Sequence, residues 1–383
     1  MKIVVDENMP HALELFAEFG EVIPLPGRQM QAADLQDADV LLVRSVTRVD
    51  AELLATSPRL GFVGTATIGT DHVDKALLAD RGIPFFSAPG CNKYSVGDYV
   101  LSALLVLAER HELNLSEMSL AVIGAGNTGE CVAGKAEALG MRVLRCDPPR
   151  ARAAAQAGEA GAFVDYQSAL GADIVSFHVP ITREGPDATF HLLDERVIAA
   201  RPAGQILVNA SRGEVWDNQA LLARQQGLSC PQELGPLRLV MDVWEGEPEP
   251  LRALVPHTEI ATPHIAGYSL EGKARGTWML YQALCQQLGR AARQDLQSLL
   301  PAPEVRALTP GQPADQALIK QLVHLIYDVR RDDARFRNRI ELPGSFDEQR
   351  KHYPERRELS SLHVCGPFAG DTLARLGFGI QAG

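Results

Sequence analysis

Residues 120–129 read Leu-Ala-Val-Ile-Gly-Ala-Gly-Asn-Thr-Gly, an apolar run that ends on the first of three glycines. The run has the character of a buried strand. Gly124, Gly126 and Gly129 fit the spacing Gly-x-Gly-x-x-Gly, and residues 130–139 continue as a helix. Alone the glycine pattern is weak; between a strand and a helix it marks the phosphate-binding turn of a doubly wound α/β unit. One glycine permits the tight turn, one lets the backbone approach a diphosphate, and one lets helix and strand pack closely. The helix start, with Asn127 and Thr128 in it, offers free N–H groups and a positive dipole end to that anion.

Asp147 closes the next strand, residues 142–146, eighteen positions after Gly129. A carboxylate there accepts hydrogen bonds from the ribose hydroxyls of NAD and repels the extra phosphate of NADP. NAD is therefore the expected cofactor. Arg145 and Arg150 flank the acid and are the features that would admit NADP instead. Glu130 stands in the first turn of the helix, where a negative charge disfavours a diphosphate unless it points away.

Outward from this turn, strands are expected at 174–178, 206–209, 239–242 and 259–262, completing a parallel unit with intervening helices. Upstream, residues 1–90 alternate short strands (2–5, 39–43, 61–65, 83–86) with helical stretches (11–19, 51–55, 74–80), a second unit of the same class. A long apolar-faced helix at 95–110 links the two. Another at 272–293 is placed to return the chain to the first unit. Residues 295–315, with several prolines, read as a linker. Beyond it lie helical spacing at 318–329, a strand near 362–365 and a helix near 371–376, a small α/β tail.

The net charge of −11 argues against nucleic acid as the main partner, because phosphate neutralisation needs a basic face. No segment approaches the roughly 18 apolar residues of a membrane span, and acidic residues interrupt the N-terminus too early for a signal peptide. A cytoplasmic protein is expected. Cys91, Cys131, Cys146, Cys230, Cys285 and Cys365 are scattered without a Cys-x-x-Cys pair, so they read as idle thiols and no metal is expected.

Three polar residues follow strands in the second half of the glycine-turn unit. Arg212 lies in Asn209-Ala210-Ser211-Arg212-Gly213, Glu247 in Trp244-Glu245-Gly246-Glu247-Pro248, and His264 in Thr262-Pro263-His264-Ile265-Ala266-Gly267. Ligands of open parallel sheets bind off the carboxyl ends of the strands, so all three share an edge with the dinucleotide. An arginine holds a carboxylate or polarises a developing carbonyl. A histidine near neutral pKa takes a hydroxyl proton. A carboxylate beside it fixes its orientation. Singly, the arginine is as well read as a salt-bridge partner and the histidine as a loop residue. Together, in this order after a dinucleotide turn, they suit a hydroxy-acid dehydrogenase.

The blocks GAGNTG, NASRGEV, MDVWEGEP and ATPHIAG resemble those of the D-isomer-specific 2-hydroxyacid dehydrogenases. The resemblance implies Arg212, Glu247 and His264 as the catalytic triad, and Asp242 and Gly267 as cofactor contacts. It implies a flavodoxin-like substrate domain at 1–95 and 268–293 and an inserted Rossmann NAD domain at 96–267. The stretches VDENMP, LLVRSVT, FVGTATIGTDHVD and HIAGYSLEGKARGT, with the tail containing RKHYPERRELSSL, are similar to a branch acting on a phosphorylated four-carbon hydroxy acid. That branch implies substrate contacts from Ser45, Thr67 and Tyr268, and a homodimer formed by a C-terminal α/β domain at 294–383. Arg44 suits a phosphate equally well as a strand-end salt bridge. The arginines between 330 and 339 read as a solvated helix face, while Arg350, Lys351, Arg356 and Arg357 are placed to reach a partner subunit or its substrate phosphate. Another D-2-hydroxy acid such as phosphoglycerate, and a non-catalytic NAD-sensing corepressor on the same scaffold, are the alternatives. The connection at 225–238 is longer than usual for the family.

Overall fold

Short runs of Val, Ile and Leu form parallel strands in separate sheets of a computed structural model that describes residues 1–159, 161, 163–228 and 235–381. The centre of the long 225–238 connection and Cys230 lie outside the described residues. The chain divides into two compact units, Met1–Asn92 with Ser269–Ala302, and Lys93–Tyr268 with Pro303–Gly383. No helix of the described residues is long and apolar enough to cross a membrane.

The first unit is built on β1 (Lys2–Asp6), β2 (Glu21–Leu25), β3 (Val40–Val43), β4 (Phe62–Thr65) and β5 (Phe85–Ser87). Their order is β2-β1-β3-β4-β5, all parallel, the flavodoxin-like arrangement. β3 and β4 are buried at every position, which is why they read as continuous apolar runs. The returning helix, Leu270–Gln287, packs Leu280, Tyr281 and Leu284 against Phe16, Phe19 and Phe62. Three expectations change here. β2 carries Pro24 and is half exposed, as an edge strand tolerates, and its weak pattern hid it. Residues 51–55 form turns rather than a helix, because the Asp50 carboxylate accepts the Glu52 and Leu53 N–H groups at 3.1 Å each. The returning helix stops at Gln287, not 293, where Gly289 and Arg290 fold back onto the Gln286 and Cys285 carbonyls.

The second unit holds β6 (Ser119–Ile123), β7 (Arg142–Cys146), β8 (Ile174–Phe177), β9 (Ile206–Asn209), β10 (Arg238–Met241) and β11 (Ile260–Ala261). The order β11-β10-β9-β8-β6-β7 is parallel throughout and reverses between β6 and β8. That reversal opens a crevice at the strand ends, the usual dinucleotide site. Helix Lys93–Arg110 is buried from Ser95 to Ala108 and lies against this sheet's core.

The C-terminal residues belong to the same unit. β12 (Ala307–Leu308), β13 (His363–Cys365) and β14 (Gly379–Gln381) make a small parallel sheet. The expected linker at 295–315 thus contains β12 and helix Leu296–Leu299. Ile319, Leu322, Val323, Leu359 and Leu362 share one apolar core with Tyr99, Leu107, Val122 and Ile265. A buried ion pair, Lys135 Nζ to Asp98 at 2.8 Å, adds polar anchorage, since Lys135 also donates to the Leu376 carbonyl and Asp98 accepts the Leu359 N–H at 3.1 Å. The arginine run at 330–339 is not uniformly solvated. Arg330 stays on the surface with Asp328, but Arg337 reaches inward to Asp333 (2.8 Å) and the Val255 (2.7 Å) and Thr258 (2.9 Å) carbonyls. Periodicity could not distinguish these, because both long side chains leave one helix, Val329–Arg339.

Candidate active site

β9, β10 and β11 lie side by side, and Arg212, Glu247 and His264 follow their carboxyl ends in that order. His264 Nδ1 and Glu247 Oε2 are 2.7 Å apart. The other Glu247 oxygen accepts the Trp244 N–H at 2.8 Å. Burial by itself raises the Glu247 carboxyl, but the charge and hydrogen bond of His264, the Trp244 N–H and the nearby Arg350 outweigh it and hold the group below the usual carboxylate value. An ionised carboxylate only accepts hydrogen bonds, so Nδ1 carries the imidazole hydrogen and Nε2 is the basic nitrogen.

His264 adopts φ 57°, a left-handed conformation that a non-glycine residue keeps only when its surroundings hold it there. Asp242 does the holding. Its carbonyl accepts the His264 N–H at 2.6 Å. Its buried carboxylate accepts Thr262 Oγ1 at 2.7 Å and the Ile265 and Ala266 N–H groups at 2.8 and 2.9 Å. The Trp244 indole N–H donates to the Thr262 carbonyl at 2.9 Å, tying the turn after β10 to the turn after β11. The sequence points to Asp242 only as a cofactor contact; its work in shaping the histidine loop is visible in the structure alone.

Arg212 is half buried and donates to the Ser211 carbonyl at 2.9 Å. Asn209 braces the turn, donating to the Arg212 carbonyl at 3.0 Å and accepting the Ser211 hydroxyl at 2.8 Å. Gly213 is a residue the sequence reading passes over. A Cβ there would lie 2.0 Å from both the carbonyl carbon and the oxygen of Trp244. The arginine turn therefore rests directly on the backbone of the glutamate turn.

The residues of the glycine turn fit a dinucleotide. A Cβ on Gly129 would fall 2.0 Å from the Gly124 carbonyl, the close packing expected of the third glycine, whereas one on Gly126 would meet nothing within 4 Å. Helix Asn127–Ala138 starts at Gly126 without a side-chain cap, leaving first-turn N–H groups, those of Asn127 and Thr128 included, for an anion. Asp147 is held rigid beside this turn, accepting the Ala125 and Arg150 N–H groups at 3.0 and 3.1 Å. Arg145 is engaged by Glu130 (3.0 Å) and Glu137 (2.8 Å), and Arg150 by Glu130 (3.3 Å). The two arginines that would favour NADP are thus occupied, and Glu130 has its charge balanced by them.

β8 runs into His178, whose backbone lies under Gly124; a Cβ on that glycine would sit 2.8 Å from the His178 carbonyl. The His178 ring is buried, bonded to Ser176 Oγ at 2.8 Å, and burial pushes its pKa down to about 4. The native ring stays neutral while the unfolded chain takes up a proton below about 6.5. Unfolding free energy should therefore fall as pH drops from about 6.5 towards 4, with His178 contributing up to about 3 kcal/mol of the loss. Urea denaturation at pH 7 and pH 4.5 checks this. His178→Gln should lose less stability between the two than the parent, and equal losses would acquit the histidine.

Ser45 and Thr67 follow the carboxyl ends of the neighbouring strands β3 and β4 in the first unit. Ser45 is exposed; Thr67 Oγ1 donates to the Gly69 carbonyl at 3.0 Å and lies 2.8 Å from Thr65 Oγ1. Arg44 makes a long contact to the Asn8 carbonyl at 3.4 Å. In the second unit, Gly267 occupies the turn closed by the Tyr268 N–H on the Ile265 carbonyl at 2.8 Å. Tyr268 packs edge-on to Tyr353 of the C-terminal region, with ring centroids 5.7 Å apart.

Residues 107–266 match the family model of the D-isomer specific 2-hydroxyacid dehydrogenase NAD binding domain, and residues 299–377 match a domain of unknown function (DUF3410). The chain is 93% identical over 383 residues to the erythronate-4-phosphate dehydrogenase of Aeromonas salmonicida (strain A449), covering 100% of both. It is 50% identical over 381 residues to that of Escherichia coli O157:H7 (strain EC4115 / EHEC), covering 99% of this chain and 98% of the relative. The solved structure of the TT0316 protein from Thermus thermophilus is similar with a TM-score of 0.62 at 26% identity, 77% of this chain accounting for 99% of that one. Identity at this level along the whole length settles the lineage: the chain belongs to the erythronate-4-phosphate dehydrogenases, a branch of the D-isomer-specific 2-hydroxyacid dehydrogenases.

Proposed function

We propose that the chain oxidises 4-phospho-D-erythronate to (R)-3-hydroxy-2-oxo-4-phosphooxybutanoate in the synthesis of pyridoxal 5′-phosphate. The observation that carries the chemistry is the 2.7 Å pair between His264 Nδ1 and Glu247. NAD, when bound at the glycine turn, supplies the acceptor for the hydride that leaves C2. His264 Nε2 takes the C2 hydroxyl proton as the carbonyl forms. Glu247 stabilises the imidazolium so produced. Arg212 holds the substrate carboxylate. Asp242 and Gly267 face the cofactor, and Ser45, Thr67 and Tyr268 offer hydroxyls to the polyhydroxy chain, with Arg44 near its phosphate.

The same reading assigns residues 1–95 and 268–293 to substrate binding, 96–267 to NAD and 294–383 to a homodimer contact. It assigns the enzyme to the cytoplasm, which suits the free thiols of Cys131, Cys146, Cys285 and Cys365. The test is NADH formation with 4-phospho-D-erythronate, against D-3-phosphoglycerate and unphosphorylated D-erythronate. The phosphorylated four-carbon acid should give the highest kcat/KM. Preference for either comparison compound would move the assignment to another hydroxy acid. NAD binding without turnover on any of them would favour the corepressor reading.

A further inference from the structure

The sequence places four C-terminal basic residues to reach a partner subunit or its substrate phosphate, yet one of them stands near Glu247 and Tyr268 of its own chain. Arg350 belongs to helix Ser345–Lys351, inside the stretch matched by the domain of unknown function. Its guanidinium lies 6.0 Å from the centre of the Tyr268 ring and 5.9 Å from that of Phe346. Glu247 lies near enough that the Arg350 charge lowers the Glu247 carboxyl, and Glu247 and Tyr268 both favour the charged form of the guanidinium. The Arg350 side chain is only 24% exposed.

Its donors are underused. The nearest carboxylate, Asp347, is at 3.8 Å, too far for a hydrogen bond, and Arg350 Nε is buried with no partner among the described residues. Arg356, a few residues on, has the same buried, unpartnered Nε, but its terminal nitrogens are committed within the protein. It is stacked 3.5 Å over the Tyr327 ring and donates to the Ser95 and Ile265 carbonyls. A desolvated guanidinium with an unmet donor is costly, and its planar fork matches a tetrahedral oxyanion.

We propose that Arg350 is a specificity-determining residue that binds the phosphate of the substrate, so that the C-terminal domain supplies part of the active site. The inference rests on the four-carbon phosphorylated acid proposed above. With Arg212 on the carboxylate next to C2, the phosphate, a near-dianion only two carbons beyond C2, is the group left for a further cation, and the ionised Glu247 beside His264 would otherwise repel it. A second cation removes that repulsion. Since 77% of this chain accounts for 99% of the TT0316 protein, this chain carries additional residues that could hold a group distinguishing its substrate.

The test compares the parent enzyme, Arg350→Gln, Arg350→Lys and Arg44→Gln in NAD-saturated assays with 4-phospho-D-erythronate, recording KM, kcat and the pH profile of kcat. NAD binding, followed by fluorescence, verifies that each variant is folded. Arg350→Gln should raise KM at least about tenfold, the loss of a charge-assisted contact, with a much smaller change in kcat and an unmoved pH profile. Arg350→Lys should recover part of the loss. A fall in kcat with a shifted pH profile and an unaltered KM would overturn the proposal and make Arg350 a tuner of the Glu247–His264 pair. A KM effect found with Arg44→Gln but not with Arg350→Gln would overturn it in favour of Arg44. If the parent enzyme ignores 4-phospho-D-erythronate yet oxidises an unphosphorylated acid, the substrate assignment falls and this inference with it; an active parent with an unaffected Arg350→Gln removes only the inference.

Discussion

Replacing His264 with asparagine should lower kcat by about 10³-fold, inside the range of roughly 10²–10⁴ that a positioned general base supplies. Asparagine is the informative choice because of the backbone. His264 sits at φ 57°, and asparagine is among the few non-glycine residues that accept the left-handed region. The loop should survive, still held by the Asp242 carboxylate on the Ile265 and Ala266 N–H groups. The amide offers no base, so the C2 hydroxyl proton has nowhere to go but water. The dissociation constant for NAD, measured by fluorescence titration, should change little, because the glycine turn belongs to β6 and the histidine to β11. Single-turnover NADH formation reads the chemical step directly. A variant that keeps more than about a tenth of the parent rate would remove His264 as the base. Glu247→Gln should cost less, since it keeps the shape of the contact and loses only the charge that stabilises the imidazolium.

Much of this arrangement is legible in the sequence. The apolar runs that became β3, β4, β6, β8 and β9 are continuous because a parallel sheet covered on both faces buries every residue of its central strands. Arg212, Glu247 and His264 stand out in the sequence because each follows the carboxyl end of a strand, β9, β10 and β11, the edge where ligands of parallel sheets sit, and the structure brings Glu247 and His264 into contact. β2 was lost because an edge strand with one proline has no strong pattern. The turns at 51–55 resemble a helix in sequence because the side-chain bonds of Asp50 leave no periodic trace. Gly213 is missed, and Arg350 reads only as one of four basic residues placed to reach a partner subunit or its substrate phosphate, for a different reason. Their importance depends on what lies across from them, Tyr268 and Glu247 in one case and the Trp244 backbone in the other, and both relations join segments distant in sequence. One basic residue in a helix looks like the next until burial and partners separate them, as Arg337 and Arg330 also demonstrate.

Gly213→Ala should reduce kcat/KM about 10²-fold or more without touching any functional group. The methyl would meet the Trp244 carbonyl carbon and oxygen at 2.0 Å and the Glu245 nitrogen at 2.5 Å. These are backbone atoms, so no rotamer change makes room. The turn after β9 must instead move away from the turn after β10 by an ångström or more, and Arg212 rides on the first while Glu247 rides on the second. Misplacement on the order of 1 Å costs roughly 10²-fold in a reaction that depends on aligned groups. Overpacking of this kind should also cost about 1–3 kcal/mol of stability, small enough for a folded variant to be purified and assayed. Gly126→Ala is the matched control. Its methyl meets no protein atom within 4 Å, so it should disturb only what approaches the turn from outside. NAD affinity should fall in Gly126→Ala with little loss of stability, whereas in Gly213→Ala affinity should hold while turnover falls. Equal losses of affinity and turnover in both variants would mean that the two turns act as one element, and that the spacing of Arg212 from the Glu247–His264 pair is not set by the contact at Gly213.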